Sequence, residues 1–251
     1  MILIGMTGPI GHGKTTFARA LEKIVPETVH LESSMVIAEV ANGLHASTTK
    51  LPDRDDLDSI NEWLRALPDV IMNTVHAHCE YSQLKIDRYE AERHPIEYEK
   101  LFLHIENLTR NPHLATQKIT KENKETYRPI LQWLGGYLVK KVDSGIWYKE
   151  VVRRAHEAER QGCKICVIGG LRFPSDATLL RQAGGTIVKV FRPGHLQYDM
   201  LDPTERERDN IEVDTKIISA GTIEDMDGCA ARVLSDIQAK KLERSYRSAA
   251  A

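Results

Sequence analysis

The chain has 251 residues, 41% of them hydrophobic and 28% charged, with a formal net charge of −2. These values suit a soluble globular protein with a substantial core and give no basic excess that would recommend nucleic acid as the main partner. No charged leader or long apolar run accompanies "MILIG" at the start, so neither a signal peptide nor a membrane span is expected, and the expected location is the cytoplasm.

Taken in chain order, the first element is a short apolar strand, Ile2–Met6. A glycine-rich turn follows, then a helical pattern from about Lys14 to Ile24, then a second strand at Thr28–Leu31. The stretch "ASTTKLPDRDD" (46–56) reads as a surface loop. From Pro68 to about Arg93 the apolar positions Ile71, Val75, Cys79, Ile86 and Tyr89 recur at helical spacing, and Leu101, Ile105 and Leu108 do the same over Glu97–Arg110. A polar loop (111–126) separates these from two further helices, Tyr127–Lys140 and Ile146–Arg160, the latter stopping at Gly162.

Three more strands are expected at Ile165–Ile168, Thr186–Phe191 and Thr215–Ile218. All five are apolar with little alternation, as strands covered on both faces are. Between the third and fourth lies a helix from Pro174 to Ala183, ended by Gly184-Gly185. The last helix opens near Thr222, where "TIED" resembles a capping box, and its tail "KKLERSYRSAAA" reads as a frayed end. The resulting expectation is an α/β/α three-layer domain with a five-stranded parallel sheet. Its core would span about 1–44 and 126–240, with a helical insertion on the substrate side at about 45–125 and a lid-like loop at about 194–213.

Two cysteine patterns invite a metal reading. Cys163 and Cys166 form a C-x-x-C, but it opens a strand, where positions three apart face opposite sides, so buried reduced thiols are expected. In "HAHCE", His76 and Cys79 could share a helical face, with no matching ligand cluster elsewhere.

The turn after the first strand is the most informative segment. Gly8, four residues, then Gly13-Lys14-Thr15 matches G-x-x-x-x-G-K-[ST] between a strand and a helix. Glycines let successive backbone N–H groups curl inward onto phosphate oxygens, and the helix N-terminus adds partial positive charge. The expected ligands are ATP, held by Gly8, Gly11, Gly13, Lys14, Thr15 and Thr16, and Mg²⁺, ligated by the Thr15 hydroxyl. No strand ends in the paired acidic residues of motor-type ATPases, and no N-K-x-D guanine signature is present.

Three other stretches bear on what receives the phosphate. On one helix Arg128, Gln132 and Gly135 are spaced to share a face, where arginine can clamp a phosphate and glutamine can pair with a base edge. Gly169 and Gly170 end a buried strand and Arg172 follows them at a strand end of the kind that lines an active-site crevice. Charged residues cluster in "DPTERERDN", where Arg206 and Arg208 could neutralise phosphate in a lid.

Together these stretches resemble the bacteriophage deoxynucleoside monophosphate kinases, a branch of the P-loop nucleotide kinases. The Arg–x3–Gln–x2–Gly helix with a downstream tryptophan is matched by Arg128, Gln132, Gly135 and Trp147. A strand, arginine, helix, "GG", strand and "RPG" succession is matched by Arg172, Gly184-Gly185 and Arg192-Pro193-Gly194, and Glu205 matches a family glutamate. The resemblance covers roughly 1–35 and 125–230. It implies Arg128 and Arg172 at the acceptor phosphate, Gln132 at the base and Trp147 in the pocket wall. Arg192 falls on the ATP side, with Glu205, Arg206 and Arg208 as lid candidates. Lys14, Arg128 and Arg172 would then carry catalysis.

The family pattern is broken at three places. Its aspartate two before the arginine is Gly170, a threonine-aspartate is Gly136-Tyr137, and a late asparagine is Ser219. Asp176, Glu32 and Asp143 are the candidate replacements for the lost carboxylate. The expected reaction is transfer of the ATP γ-phosphoryl group to a (deoxy)nucleoside 5′-monophosphate, in the host cytoplasm if the chain is phage-encoded, with a homodimer left open. The alternatives are a kinase for a sugar acid, phosphomevalonate or a modified base in DNA, and a non-catalytic nucleotide-binding regulator.

Overall fold

The computed structural model describes residues 1–47, 56–78, 99–141, 145–195 and 207–249. They fall into two compact units, Met1–Glu32 with Val151–Ala251, and Ser33–Glu150.

The first unit is built on a sheet of five parallel strands, β1 (Ile2–Thr7), β2 (Thr28–Glu32), β3 (Ile165–Gly169), β4 (Thr186–Phe191) and β5 (Thr215–Ile218). Their order is β2-β3-β1-β4-β5, so β1 sits in the middle with its carboxyl end leading into the glycine turn. This is the P-loop-type α/β/α arrangement that the sequence led us to expect. Each strand lies within two residues of its expected bounds; β1 and β3 are almost wholly buried, whereas the edge strands β2 and β5 are only partly covered.

One face of the sheet packs Ile4, Met6, Ile165, Val167, Val188, Val190 and Ile217 against helix α1 (Lys14–Ile24) and a long C-terminal helix (Ile223–Ala249). Phe17 of α1 is fully buried in that cluster, and its truncation to alanine would cost about 3–5 kcal/mol. The opposite face carries the helix Pro174–Gln182, whose Leu180 fills the space a side chain at Gly5 would need. That helix ends with Gly184 at φ 77°, and the Gly185 N–H donates back to the Leu180 carbonyl at 2.9 Å. At the start of the C-terminal helix the Asp225 carboxylate accepts the Thr222 N–H at 2.7 Å while Thr222 Oγ1 accepts the Asp225 N–H, the reciprocal cap suggested by "TIED". The helix runs through Ala249, so the tail from Lys240 is helical.

The second unit is helical. In chain order its helices are α2 (Ser33–Ser47), α3 (Leu57–His78), α4 (Glu99–Arg110) and α5 (Arg128–Lys141), and α6 (Ile146–Arg160) starts in it. The remaining helices become α7 (Pro174–Gln182) and α8 (Ile223–Ala249). Helix α2 packs on α3 and α5, and α4 packs on α5. Two features differ from expectation. Helix α2 was not foreseen. Helix α3 begins at Leu57 and runs through Pro68, the residue expected to start it. Asp56 caps it instead, its Oδ1 accepting the Asp58 and Ser59 N–H groups. The expected helix beyond His78, to about Arg93, lies outside the described residues. The polar stretch 111–126 is a loop apart from a short 3₁₀ turn at Pro112–Ala115, and it is fastened: Asn42 Oδ1 accepts the Ile119 N–H at 2.8 Å.

Candidate functional site

Within the first unit the glycine turn has the backbone its sequence requires. Gly8, Gly11 and Gly13 all have positive φ, at 130°, 78° and 99°. A Cβ on Gly8 would stand 2.2 Å from the Val190 carbonyl oxygen of β4, so the turn is wedged against a neighbouring strand end. Gly13 occupies the N-cap of α1, which has no side-chain cap and no acidic residue in its first turn. The amide groups there are left for an anion.

Lys14 donates to the carbonyls of Gly8 at 2.7 Å and Pro9 at 2.6 Å, which holds its ammonium on the turn itself. Thr15 is exposed and Thr16 half-buried in the first turn of α1. The donor set fits a triphosphate, with curled amides, one ammonium and an exposed hydroxyl of the type that ligates Mg²⁺ jointly with phosphate oxygens. Among the described residues no group of three His, Cys, Asp or Glu side chains could hold a metal ion.

One residue of the turn was not singled out by the sequence reading. His12 is fully buried, and its Nδ1 accepts the main-chain N–H of Arg192 at 2.9 Å. In the neutral ring the proton therefore sits on Nε2. Its ring lies 5.4 Å from Phe191 and edge-on to His195 at 5.3 Å. Burial, then the neighbouring charges of His195, Lys14, Arg208 and Arg192, holds its pKa below the ordinary 6.5. Arg192 itself is exposed.

The end of β3 carries the second group of candidates. Gly170 has φ 80°, a left-handed conformation that most side chains avoid. Arg172 is half-buried, and the main-chain N–H groups of Arg172 and Phe173 donate to Asp176 Oδ2 at 3.3 and 3.1 Å. Asp176 is 5% exposed, and burial pushes its carboxyl up to about 7 against the opposing pull of those amides and of Arg172. Across the sheet Glu32 pairs in register with Gly169, at the carboxyl end of β2, and lies 3.8 Å from His30 Nε2. Arg208 sits in a 3₁₀ turn (Arg208–Asn210), buried to 4% exposure and 3.6 Å from the Asp209 carboxylate. Glu205, Arg206 and Asp143 lie outside the described residues.

In the second unit Arg128 opens α5, with Gln132 and Gly135 on its next turns. The Arg128 guanidinium is held by Glu125, Nε donating to Oε2 at 2.9 Å and Nη2 to the same oxygen. Gln132 is half-buried, and a Cβ on Gly135 would meet Ile37 at 3.3 Å. Trp147, in α6, is buried at 3% exposure.

Cys163, Cys166 and Cys229 are free thiols. Burial pushes the Cys166 thiol up to about 12. No helix among the described residues is long and apolar enough to cross a membrane. No protein-family model matches the chain, and no curated protein matches its sequence.

Proposed function

We propose that the chain is an ATP-dependent phosphotransferase acting on a (deoxy)nucleoside 5′-monophosphate. The observation that carries this reading is the uncapped N-terminus of α1, framed by three left-handed glycines and the Lys14 ammonium. Backbone amides there suit phosphate oxygens, and the helix end suits negative charge.

In this reading Mg·ATP supplies the transferable phosphoryl group and the counter-charge. Lys14 would exchange the Gly8 and Pro9 carbonyls for phosphate oxygens, and the Thr15 hydroxyl would help hold the metal, which would supply charge neutralisation. Arg172, just beyond the carboxyl end of β3, neutralises charge on the phosphate in transit. The Arg128–Gln132 face of α5, with Gly135 packed by Ile37 on its next turn, is the acceptor-reading candidate: a guanidinium for the monophosphate and an amide for the base edge. Trp147 contributes an apolar wall. Arg192 stands on the ATP side, with Glu205, Arg206 and Arg208 as lid candidates.

A monophosphate oxygen is ionised near neutral pH, so transfer needs no general base, and positioning with charge neutralisation supplies the rate. Gly170 carries no carboxylate, and Asp176 spends its Oδ2 on two amides. Glu32, at the end of β2 beside Gly169, is therefore the better candidate for holding a metal-bound water or the acceptor. The test is ADP release from Mg-ATP against a panel of standard and phage-modified monophosphates, with phosphate NMR to identify the product. Acceptor-dependent ADP formation is expected. Its absence with every monophosphate would sink the reading, and ATP binding without turnover would favour a non-catalytic nucleotide-binding protein.

A further inference from the structure

His12 occupies the last variable position of the turn, directly before Gly13-Lys14. Its ring is fully buried and makes a hydrogen bond to one atom, the Arg192 main-chain N–H, 180 residues away in sequence. Arg192 is the first residue beyond β4. Two further contacts join the same elements. The Phe191 carbonyl accepts the Ser219 N–H at 2.7 Å, and Ser219 Oγ stands 3.3 Å from where a Cβ on Gly13 would be. The phosphate turn, the end of β4 and the end of β5 are thus close neighbours: one backbone hydrogen bond joins β5 to β4, and the His12 side chain joins the turn to β4. A turn made flexible by three glycines needs such an external tie to hold its amides in a single arrangement.

We infer that His12 is a positioning residue for nucleotide binding, latching the phosphate turn to the Arg192 amide so that the turn's N–H groups are pre-arranged for a polyphosphate. The inference rests on the reading of residues 8–15 as a triphosphate cradle. His12 acts through the backbone of the turn and does not itself touch the ligand. The function it serves needs an acceptor atom at the Nδ1 position and a flat group that fits between Phe191 and His195. Asparagine meets the first condition, because its Oδ1 can replace Nδ1. Leucine fills similar space and accepts nothing.

The test combines amide hydrogen exchange at Arg192 with ATP affinity by calorimetry, on wild-type protein, His12→Asn, His12→Leu and Lys14→Met. The Arg192 amide should be protected in wild type and in His12→Asn and exchange freely in His12→Leu. ATP affinity should fall about fivefold or more in His12→Leu, the effect of one lost hydrogen bond, and return to within about twofold in His12→Asn. An unprotected Arg192 amide in the wild-type protein overturns the latch without any variant. Equal ATP affinity in wild type and His12→Leu, or equal weakening by Asn and Leu, overturns it as well. Failure of the wild-type protein to bind ATP at all is a different result: it removes the cradle reading on which the latch depends.

Discussion

The Lys14 ammonium donates to the Gly8 carbonyl at 2.7 Å, across the turn that leads into the α1 N-terminus. The cation is thus held on its own turn. Lys14→Met keeps the stem and removes the charge. We expect turnover to fall by about a hundredfold or more, the scale seen when one preorganised electrostatic contact is deleted. The loss to folding stability should stay within about 2 kcal/mol, because two hydrogen bonds to carbonyls are exchanged for water. Steady-state kinetics beside thermal melting separates the two effects.

Two glycines of the turn should respond differently to alanine. At Gly8 the added methyl meets a β4 backbone carbonyl at 2.2 Å, and the φ of 130° is itself unfavourable. Strand backbone cannot move aside, so Gly8→Ala should lower the melting temperature clearly, by more than the ~1–2 kcal/mol of a left-handed alanine alone. At Gly11 the atoms nearest the methyl belong to the exposed His195 side chain. Gly11→Ala should cost about 1–2 kcal/mol, the backbone term, and Gly11→Ala with His195→Ala should cost no more. Melting curves of the three variants decide this.

Asp176 should make stability depend on pH in an unusual direction for a carboxylate. Its folded carboxyl titrates near 7, above the ordinary 3.8, so the fold prefers the protonated form. Its contribution is complete below 3.8 and is lost as pH rises through 7, because the unfolded chain releases the proton first. The loss is on the order of a few kcal/mol. Asp176→Asn keeps an oxygen for the Arg172 and Phe173 amides and should flatten the change between pH 4 and 7 in denaturant titrations. A wild-type profile that is already flat over this window would contradict the assignment.

Arg128 and Glu125 form a pair in which the carboxylate is 64% and the guanidinium 32% exposed, so its net worth to stability is at most about 1 kcal/mol. The cost of removing the arginine should therefore appear in acceptor binding. Arg128→Lys should raise the acceptor KM about tenfold or more while ATP affinity stays unchanged, because lysine cannot reproduce the planar fork. Glu125→Gln, which frees the fork, should lower the acceptor KM. Initial-rate kinetics with each substrate varied in turn provides the check.

The first unit was largely legible in the sequence, the second only in part. Strands β1, β3 and β4 are short β-branched runs next to glycines with unmistakable turn roles, and α1 follows a motif whose spacing leaves no choice of start. Helix α2 was missed because Val36, Ala38, Val40, Ala41 and Leu44 are all buried, so apolar residues spread around the helix and blur the period. The β-branched members among them also lean towards strand. In sequence Pro68 suggests a helix start, since proline favours the first turn. In the structure Asp56 caps the helix, which continues past Pro68 to bury Ile71 and Val75. That burial offsets the hydrogen bond proline cannot make. The His12–Arg192 bond had no sequence signal, because no local spacing rule connects a turn to a strand end in the other half of the chain.

Cys166 has a practical consequence. It lies in β3, which is flanked by β1 and β2, and its thiol is wholly buried and held near 12. Thiolate, the reactive form, is almost never present there at ordinary pH. Cys163, two residues before the strand, is partly open to solvent. The chain thus carries a fast and a slow thiol three residues apart. Alkylation of the first records fraying at the strand's start, while alkylation of the second times the opening of the sheet itself.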